Sequence, residues 1–331
     1  MRFTFMCPHT KLSGGTKVIL RLAHHVANAG HSVIVGAYKY SPKQILWYGP
    51  KNPPYEIVEV SEPNRYTIPP CDVLINFADG VSFGSMPDVP HILFLQGFGT
   101  QDYAKEVANL NFRYDGIIAT SAWLAQVARQ ARHTKIHVVH PGVDDYFVSH
   151  HLPTKAVPVV GTLYHESSAK SSDVFMAASH RIIKNFPRTL FLYLSAKTPK
   201  DTTQFHKLLS PHSLIINPPQ QVLPHIYSSC TVWVSPSINE GFGLPTLEAM
   251  ACGTPVVSVR NFGLDEYLKN DYNCLLIPPR NKEALADSVI QLLSDSETRN
   301  KLVSNGLQLV KRFTWSKCVN NFIAAVKGII Q

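Results

Sequence analysis

The feature that most constrains this chain is a rhythm: short apolar, β-branched runs bounded by turn residues alternate with segments of helical period from one end to the other. Runs at 3–6, 32–37, 56–60, 72–77, 91–96, 116–121 and 136–140 form a first series, and runs at 157–163, 190–195, 213–217, 231–236, 255–259 and 273–277 form a second. Alternation of this kind builds βαβ units and parallel sheets, so the expected fold is α/β, with two doubly wound domains in tandem. Such domains take ligands at the carboxyl ends of their strands, and two of them facing a cleft would suit a two-substrate enzyme. A stretch rich in Pro, Gly and His places the linker near 148–156, giving domains at 1–150 and 151–312.

Two helices can be read directly. Val18, Leu22, Ala23 and Val26 recur at helical spacing, and Gly30 stands where a helix would stop. Trp315, Val319, Phe322, Ile323 and Val326 give segment 313–331 one apolar face, which is expected to dock across a domain surface.

At 331 residues and 45% hydrophobic, the chain has the material for two cores. No apolar run reaches 18 residues, and MRFTFMCPH carries no small-residue cleavage site, so a cytoplasmic protein is expected. The six cysteines form no C-x-x-C pair and read as reduced thiols. The net charge of +8 is uneven: residues 151–331 hold 18 Lys/Arg against 12 Asp/Glu. That excess suits a phosphorylated ligand or, equally, peripheral contact with an anionic membrane at its inner face. No basic run with interleaved aromatics and no zinc or helix-turn-helix signature occurs, which argues against nucleic acid.

The stretch SINEGFGLPTLE, 237–248, sets two carboxylates eight positions apart around two glycines and a proline. On one continuous helix the two would diverge by roughly 80°. Pro245 favours a helix beginning at Leu244 or Pro245, which leaves Glu240 in the loop and puts Glu248 in the first turn. Gly241 and Gly243 would let the backbone approach a ligand, and the unpaired N–H groups of the helix start would hold an anion such as a diphosphate. A ligand presenting hydroxyls, a diphosphate and further hydroxyls is a nucleotide sugar.

The run EGFGLPTLE resembles the E-x7-E motif of the retaining GT-B glycosyltransferases of family 4, the glycosyl transferases group 1 type, and the following AMACGTPVV is similar to that family's continuation. The resemblance implies two Rossmann-like domains facing a cleft, with Glu240 on the transferred sugar, Glu248 on the ribose, and Gly241, Phe242, Gly243 and Leu244 around the donor. Gly14 and Gly15 in SGGTK resemble the glycine loop after the first strand, facing the donor across the cleft. NFGLDEYL, 261–268, resembles the loop and helix that follow the motif. The common family form has Gly-Arg and then Lys-Gly after the first strand of the second domain; here Thr162 takes the Arg place and Lys170 is followed by Ser171. Lys170 is therefore expected to carry most of the diphosphate charge, helped by His165 or by Lys17. No D-x-D site is in place, adjacent His24 and His25 diverge on their helix, and the GT-B plan typically works without a divalent ion, so neither metal nor cofactor is expected.

The implied reaction is metal-independent transfer of a sugar from a nucleoside diphosphate donor to a hydroxyl of a glycan or lipid-linked acceptor, with retention, in polysaccharide or glycoconjugate biosynthesis. Two rivals share the plan: a nucleotide-sugar epimerase, which would lack the EGFGLPTLE run, and a non-catalytic partner subunit, favoured only by Thr162.

Overall fold

The computed structural model describes residues 1–38, 40, 53–61, 67–77, 86, 88–98, 114–130, 135–148, 157–206, 208 and 210–331. The chain divides into two compact units, Met1–Gly142 with Phe313–Gln331, and Val143–Arg312. The first segment of the first unit thus ends at Gly142 rather than at residue 150, and most of the expected linker, 149–156, lies outside the described residues.

Every expected strand run forms a strand. In the first unit β1 (Arg2–Cys7), β2 (Ser32–Ala37), β3 (Glu56–Glu59), β4 (Val73–Phe77), β5 (His91–Leu95), β6 (Gly116–Ala119) and β7 (Ile136–Val138) lie in the order β3-β2-β1-β4-β5-β6-β7. All the pairings are parallel. β4, β5 and β6 are buried along their whole length, as strands covered on both faces must be, whereas edge strand β3 is half-exposed and carries Glu56 and Glu59. Helix α1 (Gly14–Asn28) follows β1 and buries Val18, Leu22, Ala23 and Val26; Gly30 closes it in the left-handed region at φ +87°. A shorter helix, α2 (Ala122–Arg129), packs Trp123 and Leu124 against Leu93, Leu95 and Ile117.

In the second unit β8 (Val159–Leu163), β9 (Leu190–Ser195), β10 (His212–Ile216), β11 (Val232–Ser235), β12 (Val256–Val259) and β13 (Leu275–Ile277) form a parallel sheet ordered β10-β9-β8-β11-β12-β13. Besides a single helical turn at Thr203–His206, the helices are α3 (Ser172–Asn185), α4 (Leu223–Ser229), α5 (Leu244–Ala251), α6 (Lys282–Ser294) and α7 (Ser296–Val310). Phe175, Phe191, Tyr193, Val232, Val257 and Leu285 centre its core, each large side chain removed from water contributing about 1.5–3 kcal/mol. The strand order reverses between β1 and β4 in one sheet and between β8 and β11 in the other, and at such a reversal the loops part and leave a crevice.

The closing helix α8 (Trp315–Ile330) belongs to the first unit. Phe322 sits 5.9 Å from the rings of both Phe3 and Phe5 and 6.2 Å from Phe94. A Cβ on Gly142 would come within 2.4 Å of the Trp315 backbone nitrogen, so the end of the unit's first segment and the start of its last touch backbone to backbone. All six cysteines are buried free thiols.

Candidate active site

The crevice between β8 and β11 holds the chemistry-bearing residues of the second unit. After β11 the chain runs through Ser237 and Glu240 into α5, which begins at Leu244, with Gly243 as its cap at φ +79°. Only glycine fits there: the conformation is left-handed, and a Cβ would lie 2.1 Å from Leu264 Cδ2. No side chain caps the helix. Pro245 has no N–H to leave unpaired, the Thr246 N–H turns back to the Gly243 carbonyl at 3.0 Å, and the Leu244 N–H, at the first helical position, has no intrahelical acceptor. The helix start therefore presents the Leu244 N–H and the positive end of its dipole.

After β8 the chain makes a 3-10 turn, Ser168–Lys170, and enters α3 through Ser171 in the left-handed region at φ +49°. This turn is pinned to the motif loop: the Ile238 N–H donates to the Ala169 carbonyl at 2.8 Å and Ser237 Oγ reaches the same oxygen at 3.5 Å. Lys170 Nζ then donates to Glu240 Oε1 at 2.7 Å, with both side chains mostly buried. The two residues expected to act on adjoining groups of one ligand, the sugar and the diphosphate, thus form an ion pair with each other. With Leu163, Ser235, Gly243 and Thr246 they line a recess of about 20 Å³. A wider depression of about 490 Å³, bounded by Tyr164, His165, Ser172, Lys200, Gln204 and Arg280, borders the same turn at Ser168.

The loop is held from beneath by 261–267. Asn261 Nδ2 donates to the Ser237 carbonyl at 2.9 Å, and the Tyr267 hydroxyl shares its proton between the Phe242 and Gly243 carbonyls at 2.9 and 3.0 Å. A Cβ on Gly263 would meet the Glu240 carbonyl oxygen at 2.0 Å, so this glycine admits the loop backbone. Three non-glycine residues at the carboxyl ends of strands in this unit, Ser171, Asn217 and Arg280, have positive φ. Left-handed backbone of this kind gathers where a site dictates shape.

Several expectations change. Glu248 is not in the first turn: with the helix starting at Leu244 it is the fifth residue, in the second turn. It is buried at 4% exposure and accepts a 2.9 Å hydrogen bond from the Tyr227 hydroxyl. Thr162 does not reach the recess, because it is fully buried within β8 and its hydroxyl donates to the Val234 carbonyl at 2.9 Å. The pKa of His165 is pushed below the ordinary value, by loss of solvation first and then by nearby Lys170 and Lys197, and its Nδ1 accepts the Ser167 N–H at 2.9 Å. Phe242 is buried and stacks at a tilt on Tyr267, so what it offers a ligand is backbone. Gly14, Gly15 and Lys17 lie in the first turn of α1 in the other unit; Lys17 is buried there, and Gln96 Nε2 donates to the Gly15 carbonyl at 3.3 Å.

The supporting residues Tyr227, Asn261, Gly263 and Tyr267 were not assigned roles from sequence. NFGLDEYL did mark the right segment, but nothing in the isolated letters tells that Tyr267 faces the motif loop. Ser171 did carry a signal, since it stands where the resembling family has glycine. Among the described residues no group of three His, Cys, Asp or Glu side chains is arranged to hold a metal ion, and no described helix is long and apolar enough to cross a membrane.

Residues 196–309 match the family profile described as glycosyl transferases group 1. The O-antigen chain mannosyltransferase B of Escherichia coli is 37% identical over 109 residues, 33% of this chain and 28% of that protein. The matched segment spans about a quarter of the length of the curated relatives. Over the whole chain the fold is that of Anabaena HepE, solved in complex with UDP-glucose, with a TM-score of 0.79 at 16% identity, covering 99% of this chain and 100% of that one. It is equally that of the sucrose-phosphate synthase of Thermosynechococcus elongatus, with a TM-score of 0.80 at 18% identity, covering 100% and 99%. Both likenesses bear out the two doubly wound α/β domains of the GT-B plan.

Proposed function

We propose that this chain is a glycosyltransferase that moves a sugar from a nucleoside diphosphate donor to an acceptor hydroxyl with retention at the anomeric carbon. The observation that carries the reading is the Lys170–Glu240 ion pair set against the uncapped start of α5 at the strand-order reversal. A cation and a carboxylate beside the positive end of a helix dipole match a ligand whose diphosphate is negative and whose sugar is rich in hydroxyls. The match of 196–309 to group 1 transferases and the UDP-glucose held by HepE support the same ligand class.

In this reading the helix start holds the diphosphate and Glu240 accepts hydrogen bonds from the sugar, which frees Lys170 from its partner to face the leaving group. As the bond from the anomeric carbon to the diphosphate oxygen breaks, charge grows on that oxygen, and Lys170 with the α5 N–H groups stabilises it. The acceptor oxygen bonds to the same face of the carbon and its proton passes to the departing diphosphate. Charge neutralisation falls to Lys170 and the helix start, so transfer in excess EDTA should match transfer without it. Glu248 accepts hydrogen bonds from the ribose. The acceptor is a glycan or a lipid-linked glycan, and the basic second half would hold the protein at an anionic membrane surface; co-sedimentation with anionic but not neutral vesicles at low salt tests that point.

Thermal shift against UDP, GDP and ADP identifies the donor base, and Glu240→Ala tests the site. The variant should bind the stabilising nucleoside diphosphate as the parent does and lose transfer from the corresponding nucleotide sugar. Normal transfer by the variant would remove Glu240 from the mechanism. Slow release of nucleoside diphosphate separates a transferase from an epimerase, which interconverts sugars, and from a non-catalytic subunit, which does neither.

A further inference from the structure

We infer that Tyr227 is a positioning residue for Glu248, holding that carboxylate in the single orientation in which it meets the ribose hydroxyls; the inference rests on the ribose reading above. Tyr227 and Glu248 sit on successive helices, α4 and α5, and the phenol donates to Oε2 at 2.9 Å with both residues buried. The phenol is itself fixed. Its ring packs edge-on to Trp233 at 4.7 Å and tilted against Phe147 at 5.9 Å, and its backbone carbonyl accepts from Thr254 Oγ1 at 2.7 Å. Burial, with the neighbouring carboxylate second, raises the phenol's pKa well above its ordinary value, so it stays a donor across the working pH range.

A simple tie between two helices would not need a charge. Glutamine would accept the same bond without the cost of burying a carboxylate, whereas a carboxylate offers about four acceptor positions and bonds hydroxyls more strongly. Glutamate also has three side-chain torsions to order, and a rigid donor on Oε2 removes that freedom before ligand arrives. The arrangement is that of a pre-oriented acceptor.

The test compares the nucleoside diphosphate that binds the parent best, among UDP, GDP and ADP, with its 2′,3′-dideoxy counterpart, by calorimetry. Tyr227→Phe should weaken the ribonucleotide about tenfold, the scale of one lost orienting hydrogen bond, and leave the dideoxynucleotide unchanged. In a Glu248→Gln background the same substitution should add nothing. An equal loss for both ligands, or no loss for either, overturns the positioning role. If Glu248→Gln itself binds the ribonucleotide as the parent does, the ribose reading falls, whatever Tyr227 does; if Glu248→Gln loses affinity and Tyr227→Phe does not, only the positioning role falls. Should Tyr227→Phe fail to fold, Phe147→Leu, which loosens the ring without touching the carboxylate, should give a smaller loss confined to the ribonucleotide, and an unchanged ratio there would overturn the inference.

Discussion

Helices α1 and α5 each begin beside the strand-order reversal of a parallel sheet, and they treat their unpaired N–H groups in opposite ways. At α1 the chain answers its own donors: Ser13 Oγ accepts the Thr16 N–H at 3.1 Å, and the Thr16 hydroxyl lies 2.9 Å from Ser13 Oγ and 3.2 Å from His9 Nδ1. At α5 the cap is a glycine whose missing side chain is enforced by Leu264. A serine there would be worth about 1 kcal/mol to the helix, and the geometry forbids it. The difference teaches that two helix starts beside a strand-order reversal can be closed differently: at α1 a side chain takes up a backbone N–H, and at α5 no side chain does.

The comparison can be broken in four ways. The largest effect should come from Lys170→Ala, which removes the one side-chain cation bonded to the motif loop among the described residues. On the proposed mechanism its interaction strengthens as the leaving group gains charge, so kcat should fall about 10²–10³-fold with a much smaller change in donor KM. Steady-state kinetics that kept the parental kcat would move the neutralising role elsewhere. Next, Gly243→Ala should lower stability by about 2–4 kcal/mol, combining a left-handed alanine with a clash against Leu264. Gly14→Ala, whose added Cβ would meet nothing within 4 Å, should hold the denaturation midpoint or raise it, by up to about 1 kcal/mol of stability. Equal midpoints for the two would show that the two helix starts are not built differently.

Ser13→Ala should cost about 1 kcal/mol of stability, the usual value of a lost cap, without altering nucleoside diphosphate affinity. A matching loss of affinity would mean that the α1 start is also a ligand site. The smallest effect concerns His165, whose pKa is lowered by burial and then by Lys170. Because the unfolded chain binds this proton at higher pH than the folded one, the contribution of His165 to stability is full above about pH 6.5 and declines as pH falls toward the folded value. An NMR titration should find the His165 midpoint below 6.5 in the parent and higher in Lys170→Ala; no movement would place Lys170 too far away to matter.

The fold was legible because parallel strands buried on both faces must be apolar along their length, and runs such as VLINF and HILFL cannot be mistaken for surface. The start of α5 was legible for a local reason, since Pro245 can sit only near a helix start. What lay beyond reach were pairings across sequence distance. Lys170 and Glu240 are 70 positions apart and Tyr227 and Glu248 are 21, and neither spacing leaves a periodic trace. Thr162 was misplaced for a related reason: the β8 pleat turns its hydroxyl to the neighbouring strand, a pairing of positions 72 apart.

The return of α8 to the first unit has a consequence for assembly. The second unit is one unbroken stretch, Val143–Arg312, whereas the first is written in two pieces separated by all of the second. A ribosome therefore delivers every residue of the second unit before it delivers Phe322, the ring that Phe3, Phe5 and Phe94 surround. The clusters around Leu93 and Leu74 can close from the first segment alone, but the face of the sheet that carries Phe3, Phe5 and Phe94 gains its covering ring last.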